Sequence, residues 1–199
     1  MRPLVLATED ALSEAIGQRL VEDTDSDLAV TQLLRRRGFG YLKSRMRNFC
    51  ELARHTPVLL LTDLDKEDCP ATLIGDWSRR DAIPRQLLFR VAVRQVESWL
   101  LADRDGMARL LNISVRHLPR DPDSLPNAKR SLLQLSQRAP RAMREDLVGE
   151  TGATAAQGLG YNSVLSKFVR SSWNPSQAIL RSNSLARTRM RLTELAATG

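Results

Sequence analysis

The sequence predicts an α/β protein in which a central parallel sheet of about four strands is flanked by helices and followed by a helical C-terminal extension. The first observation is the unbroken apolar run 57–61, which ends at a group of acids. Short continuous apolar runs between breakers are typical of strands buried on both faces, as in parallel sheets. The second is that strand and helix patterns alternate in the first half of the chain, whereas helical patterns alone follow.

Strand patterns occur at residues 4–7, 28–34, 57–62 and 87–93, although a helical turn at 28–34 is an alternative. Apolar residues at helical spacing predict helices over 10–21, 41–54, 71–77, 94–102, 105–111, 128–137, 162–171 and 184–196. Thr8 or Asp10 suits the cap of the first helix, and Ser184 suits that of the last. The stretch 140–160 is small, charged and glycine-containing, and we expect it to be mobile.

The length of 199 residues suits one compact domain, with an α/β core at 1–105 and a helical extension at 106–199 packed on it. No apolar run is long enough to span a bilayer, and the first residues are too quickly acidic for a secretion signal. The two cysteines, Cys50 and Cys69, lack paired spacing. These features predict a reduced, cytoplasmic protein that is not in a membrane.

The basic residues indicate a polyanionic partner. The net charge is +7, and only four of the 30 basic residues are lysines. Arginine suits phosphate better than lysine does, so nucleic acid is the expected partner, although genomic base composition and solvated charged faces also explain such a bias. The residues expected to contact nucleic acid are Arg35, Arg36, Arg37, Lys43, Arg45, Arg187 and Arg191.

Four acids are expected to meet at one edge of the sheet. Glu9 follows the first strand, Asp63 and Asp65 follow the central strand, and Glu97 lies one turn after the last. The carboxyl ends of parallel strands share an edge, which is where ligands bind in open α/β sheets. Like charges held together repel unless a cation lies between them, and oxygen ligands alone suit Mg²⁺ or Mn²⁺. Each acid taken singly also suits a helix cap.

Two basic residues accompany these acids. Arg94 lies beside Glu97, where it suits either a scissile phosphate or a salt bridge to Glu97 or Asp103. Lys66 directly follows the acid pair and suits either a base or electrostatic stabiliser or a solvated side chain.

The layout resembles the Toprim domain, named from topoisomerases and primases and shared with OLD-type nucleases, in which a Glu follows the first strand and an Asp-x-Asp follows a later one. Glu9 and Asp63-Leu64-Asp65 match that pattern, although Asp10 stands where many Toprim domains have glycine. The chain also resembles an uncharacterised family of small bacterial Toprim-like proteins over nearly its whole length. Stretches 37–42, 62–70, 90–103 and 180–187 carry this resemblance.

The resemblance implies a Toprim-like fold and a place among bacterial defence or mobile-element proteins that often accompany an ABC-type ATPase. With the acids, it predicts a Mg²⁺-dependent nuclease acting on DNA or RNA, in which Glu9, Asp63, Asp65 and Glu97 hold the metal. If Glu9 is only a cap, the site shrinks to the other three acids. The alternatives are a non-catalytic binding or regulatory subunit of an ATPase complex, and a nucleotidyl or phosphoryl transferase using the same site.

Overall fold

One sheet of four parallel strands organises the described residues, in the order β2-β1-β3-β4. The strands are β1 (Arg2–Thr8), β2 (Leu28–Arg35), β3 (Val58–Asp63) and β4 (Leu87–Ala92). The structure, a computed structural model, describes residues 1–35, 39–150 and 155–198. It confirms the predicted α/β class and the parallel sheet of about four strands flanked by helices.

β3 pairs with β1 and β4 along its two edges, and a hydrophobic core covers each of its faces. Leu59 and Leu61 point into one hydrophobic cluster, and Val58 and Leu60 point into the other. All four are fully buried. The continuous apolar run in the sequence therefore reflects a strand in which each alternate side chain finds its own core.

Helices cover both faces of this sheet. In the first part of the chain they are α1 (Ala11–Glu22), α2 (Phe39–Ser44), α3 (Met46–Leu52), α4 (Pro70–Trp77), α5 (Val96–Ala102) and α6 (Arg104–Leu111). In the last part they are α7 (Ala128–Ser136), α8 (Arg141–Leu147), α9 (Tyr161–Ser171), α10 (Pro175–Ala178) and α11 (Asn183–Ala197). In the described part of the chain, each helix is too short or too polar to cross a bilayer.

The two faces carry cores of different size. Apolar side chains of α2, α3 and α4 form the smaller core, in which the Trp77 and Phe89 rings lie 5.2 Å apart. The larger core joins the other face to α1 and to α5–α11. The helices after residue 105 thus share one continuous core with the strands.

Several local predictions need correction. The helix predicted over 41–54 is two helices, because Arg45 leaves helical geometry at φ −101° and ψ 5°. Ser182, not Ser184, caps α11, since the Ser182 side chain accepts a hydrogen bond from the Leu185 amide. The stretch expected to be mobile contains α8, and residues 151–154 of that stretch lie outside the described residues.

α11 runs antiparallel to the strands. Its first turn lies at the carboxyl end of β4, where the Val93 amide and the Trp99 indole donate to Ser184 Oγ at 3.4 and 2.7 Å. Its last turn lies at the opposite edge, where Arg2 donates to the Leu195 carbonyl at 2.9 Å. α11 therefore extends from the carboxyl end of β4 to the amino edge of the sheet, where Arg191 and Glu194 line a cleft together with Arg85 and Leu88.

Candidate acidic site at the carboxyl edge of the sheet

The parallel sheet brings the four predicted acids to its carboxyl edge. β1 and β3 are neighbours, so Glu9 and Asp63 follow adjacent strand ends. β4 pairs with β3 up to Asp63 and is followed closely by α5, whose first turn carries Glu97. Asp65 lies in the turn after β3. The expectation that the strands deliver these acids to one edge is therefore met in the backbone.

Glu9 is directed at β3 and does not cap the following helix. Its Oε1 atom accepts a hydrogen bond from the Thr62 hydroxyl and a longer one, at 3.4 Å, from the Asp63 amide. The cap of α1 is Asp10, which accepts from the Ser13 amide at 2.8 Å. Asp10 therefore caps the helix, whereas Glu9 remains a carboxylate of the acidic edge.

Asp63 is held by the start of α5. Its Oδ1 atom accepts a hydrogen bond from the Val96 amide at 2.9 Å. The residue before that helix, Gln95, makes no capping hydrogen bond with its own side chain. Asp63 therefore satisfies one of the amides that a helix leaves unpaired at its first turn, and this contact fixes its orientation.

Asp65 lies at the exposed rim of the site. β3 ends at Asp63, and Asp65 has a left-handed backbone with φ of 49°. The two acids therefore do not point the same way as residues i and i+2 of one strand. Gln95 Nε2 donates to Asp65 Oδ1 at 3.2 Å, which ties this rim carboxylate to the start of α5.

Glu97 is buried against the helical extension, with 4% of its surface exposed. Tyr161, the first residue of α9, donates its hydroxyl to Glu97 Oε1 at 2.8 Å. Lys129 Nζ lies 5.0 Å from the centroid of the Tyr161 ring. Burial and the neighbouring Glu97 raise the pKa of Tyr161 above its ordinary value, so the phenol stays a neutral donor.

The acids raise one another's pKa. Burial, then the charges of Glu97, Glu9 and Asp65, raise the pKa of Asp63 well above its ordinary 3.8. Burial is also the main reason that the pKa values of Glu9 and Glu97 are raised. Carboxylates crowded in this way favour either protonation or a bound cation.

The donor set suits a hard cation, but its geometry is not that of a closed site. Within residues 1–35, 39–150 and 155–198, no three His, Cys, Asp or Glu side chains come together as a group that could hold a metal ion. Glu97 is turned to Tyr161 and Asp63 to the Val96 amide. The oxygen chemistry and mutual charge of Glu9, Asp63 and Asp65 nevertheless fit Mg²⁺ or Mn²⁺.

Arg94 braces the rim of the site. Its Nη1 atom donates to the backbone carbonyls of Asp65 and Glu67, at 3.3 and 2.6 Å. The Arg94 carbonyl in turn accepts from the amides of Leu64 and Asp65. Arg94 therefore joins the segments after β3 and β4 through main-chain atoms, whereas Lys66 is an exposed residue of the same turn.

The residues expected to bind nucleic acid lie in two places. Lys43 of α2 forms an ion pair with Asp76 of α4 at 2.5 Å, and the Arg45 guanidinium lies 6.0 Å from the Tyr41 ring centroid. Arg187 and Arg191 lie on α11, on the other side of the molecule's sheet. Arg36 and Arg37, and the side chain of Arg35, lie outside what the structure describes.

Sequence reasoning missed three residues that shape the acidic edge. Thr62 binds Glu9, Gln95 binds Asp65, and Tyr161 binds Glu97. Thr62 and Gln95 are polar and lie next to or near predicted site residues in the sequence. Their position and polarity could have marked them as part of the site. Tyr161 comes from a helix far along the chain, and nothing in the pattern links it to Glu97.

No protein-family model matches the chain, and neither a curated protein nor a solved structure matches it. The geometry of the acidic edge is therefore the observation of this structure that bears on function.

Proposed function

We propose that the acidic edge binds Mg²⁺ or Mn²⁺ and that the protein hydrolyses phosphodiester bonds in nucleic acid. The observation that carries this proposal is the crowding of carboxylates around Asp63, whose pKa is raised by burial and then by the charges of Glu97, Glu9 and Asp65. Perturbed carboxylates at the carboxyl edge of a parallel sheet favour a functional site over a purely structural one. A Toprim-like arrangement, with Glu9 after β1 and the Asp pair after β3, agrees with this function.

The residues of the edge would then have distinct roles. Glu9, Asp63 and Asp65 are the oxygen donors at the surface of the edge, with Glu9 and Asp63 partly buried and Asp65 exposed, and Glu97 adds buried negative charge behind them. A bound divalent ion would supply Lewis-acid polarisation of a phosphoryl oxygen and a more acidic water. The hydrogen bonds from the Val96 amide and the Gln95 side chain orient two of the carboxylates before any ligand arrives.

Arg94 is the best-placed cation for the phosphate. Its position is fixed by the carbonyls of Asp65 and Glu67, and both of those hydrogen bonds use Nη1. A guanidinium has five N–H donors, so the group has further donors that suit a phosphate oxygen. Lys66 follows Asp65 directly and is a second, exposed source of positive charge at the rim.

The test is cleavage of end-labelled single-stranded DNA, duplex DNA and RNA with Mg²⁺, Mn²⁺ or EDTA. We expect metal-dependent cleavage by the wild-type protein and loss of cleavage in Asp63→Asn. Asp68→Asn is the matched control, because Asp68 is an exposed acid of the same segment. Cleavage that persists in Asp63→Asn, or that ignores EDTA, would rule out this site.

A second candidate is a non-catalytic binding or regulatory subunit, for example a partner of an ABC-type ATPase. It is favoured by the protein donors that already hold the carboxylates: the Val96 amide on Asp63 and the Tyr161 hydroxyl on Glu97. Calorimetric titration with Mg²⁺ and Mn²⁺ separates the candidates, since a structural edge binds neither ion. If cleavage products instead carry an added nucleotide or phosphoryl group, the site serves a transferase.

A further inference from the structure

A row of arginines follows the outer edge of the sheet, between β4 and α11. Arg90 extends from the β4 face that also carries Leu88 and Ala92 towards the larger core. Arg187 and Arg191 come from α11, one turn apart. Their spacing along the helix axis is about 6 Å, given a rise of about 1.5 Å per residue.

These arginines oppose one another's charge. Burial, then Arg191 and Arg187, lower the pKa of Arg90 from its ordinary value. The Arg90 Nε atom is buried and makes no hydrogen bond within the described residues. Like charges at positions i and i+4 of a helix are themselves unfavourable. An anion is the natural complement to such a group, since it would pair the unsatisfied donor and relieve the repulsion.

The row continues to the amino edge of the sheet. A cleft of about 200 Å³ there is lined by Arg2, Arg85 and Arg191. Two acids face the row. Asp123 lines a cleft with Arg90 and Arg187, and its carboxylate accepts hydrogen bonds from the Ser182 hydroxyl and the Ser184 amide. Glu194 pairs with Arg191. That pair is an exposed i,i+3 contact and therefore contributes little, so a phosphate competes with it readily.

An apolar cleft lies beside the arginines. It measures about 340 Å³ and lies where α4, β4 and the first turn of α11 meet. Ile74, Phe89 and Val93 form part of its wall, whereas Arg90 and Arg187 line the same cleft. A phosphate row next to an apolar wall suits an unpaired nucleotide, which presents a charged backbone and an apolar base face together. A duplex keeps its base faces stacked inside.

The row of arginines and the apolar cleft together form a groove between β4 and α11. We propose that this groove binds one strand of nucleic acid, with phosphates on Arg90, Arg187 and Arg191 and a base in the apolar cleft. Because α11 begins at the carboxyl end of β4, a strand lying in the groove is led from the Arg191 end past Arg187 towards the acidic edge. Only this direction of delivery depends on the nuclease function proposed above. Binding itself is a property of the groove.

The test is fluorescence anisotropy with a labelled oligothymidylate and its duplex, in EDTA so that no metal-dependent reaction takes place. Arg187→Ala/Arg191→Ala removes two phosphate contacts. Each contact to a single strand contributes about 0.7 to the slope of log affinity against log salt, so the slope should become shallower by about 1.4. The same relation predicts affinity about 25-fold weaker at about 0.1 M salt.

Arg138→Ala/Arg170→Ala is the matched control, because it removes the same charge from exposed positions of the helical extension. It should leave the slope unchanged. Arg90→Met, which keeps the bulk of the side chain, should weaken binding without lowering the melting temperature. Equal effects of the two double variants would show diffuse attraction and overturn the proposal, as would duplex binding as tight as that of the single strand.

The outcome is separable from that of the cleavage test. If binding depends on the groove but no cleavage occurs, the groove is supported as a binding site and the nuclease function is refuted. Cleavage with binding that ignores Arg187 and Arg191 would refute the groove alone.

Discussion

Replacing Asp63 with asparagine is expected to stabilise the metal-free protein at neutral pH. The carboxylate is buried beside Glu97, Glu9 and Asp65, and its pKa is raised well above 3.8. When folding raises the pKa of an acid, the unfolded chain loses the proton at a lower pH than the folded protein does. The free energy of unfolding therefore begins to fall as the pH rises above 3.8, and it falls further with increasing pH. Asparagine removes that charge and keeps an oxygen that accepts from the Val96 amide at the same place.

The magnitude has an upper limit. The folded protein can always bind a proton instead of keeping the charge, and binding one at pH 7 to a group of ordinary pKa 3.8 costs about 4 kcal/mol. The hydrogen bond from the Val96 amide becomes weaker by about 1 kcal/mol when its acceptor is neutral. A net gain of about 1–3 kcal/mol remains, which raises Tm by roughly 2–12 °C for a chain of this size.

Differential scanning fluorimetry across pH, with and without Mg²⁺, checks this. Without metal, Asp63→Asn should melt above the wild type at pH 7, and the difference should disappear as the pH falls towards 3.8. Mg²⁺ at about 100 times its Kd should stabilise the wild type by about 2.7 kcal/mol and leave the variant unchanged. A variant that melts clearly below the wild type at pH 7 would show that Asp63 serves the fold and not a cation. Asp68→Asn should match the wild type throughout.

Three further substitutions test the surroundings of the site and the packing beneath it. Tyr161→Phe removes the hydroxyl that donates to Glu97 and should lower the free energy of unfolding by about 1–3 kcal/mol at pH 7. Urea midpoints measure this change. It should be smaller below pH 4.5, where Glu97 is neutral in the folded and the unfolded chain alike. Gly17→Ala places a methyl group 2.7 Å from Leu6 Cδ1 and should cost about 1–3 kcal/mol, whereas Gly75→Ala, which meets nothing within 4 Å, should gain about 0.5–1 kcal/mol by thermal melting.

The sheet was predictable because its signals are local. An apolar run bounded by Pro57 and Asp63 specifies a buried strand without reference to its neighbours. Parallel connectivity then places every strand end on one edge, so the meeting of Glu9 with Asp63 follows from topology alone. The same reasoning could not foresee Tyr161, because its contact with Glu97 depends on how the helical extension packs on the core.

Side-chain direction was less predictable than position. The expectation that Asp63 and Asp65 point together assumed that the strand continues through both, but β3 ends at Asp63 and the chain turns through a left-handed residue. Alternation of side chains is a property of extended backbone and ends with the strand. The sequence likewise marks Arg90 as one charged residue in an apolar strand. It does not show that the residue faces α11.

The two groups of like charge on this protein pose the same physical problem with opposite sign. Around Asp63, burial and neighbouring carboxylates raise the pKa; around Arg90, burial and neighbouring guanidiniums lower it. Each arrangement is unfavourable alone, and each is relieved by a ligand of opposite charge. A nucleic acid strand with a divalent ion carries both charges, so one substrate complex would satisfy both groups at once. Measured before any of the strand is cleaved, its affinity for the groove should therefore rise more on addition of Mg²⁺ in the wild type than in Asp63→Asn.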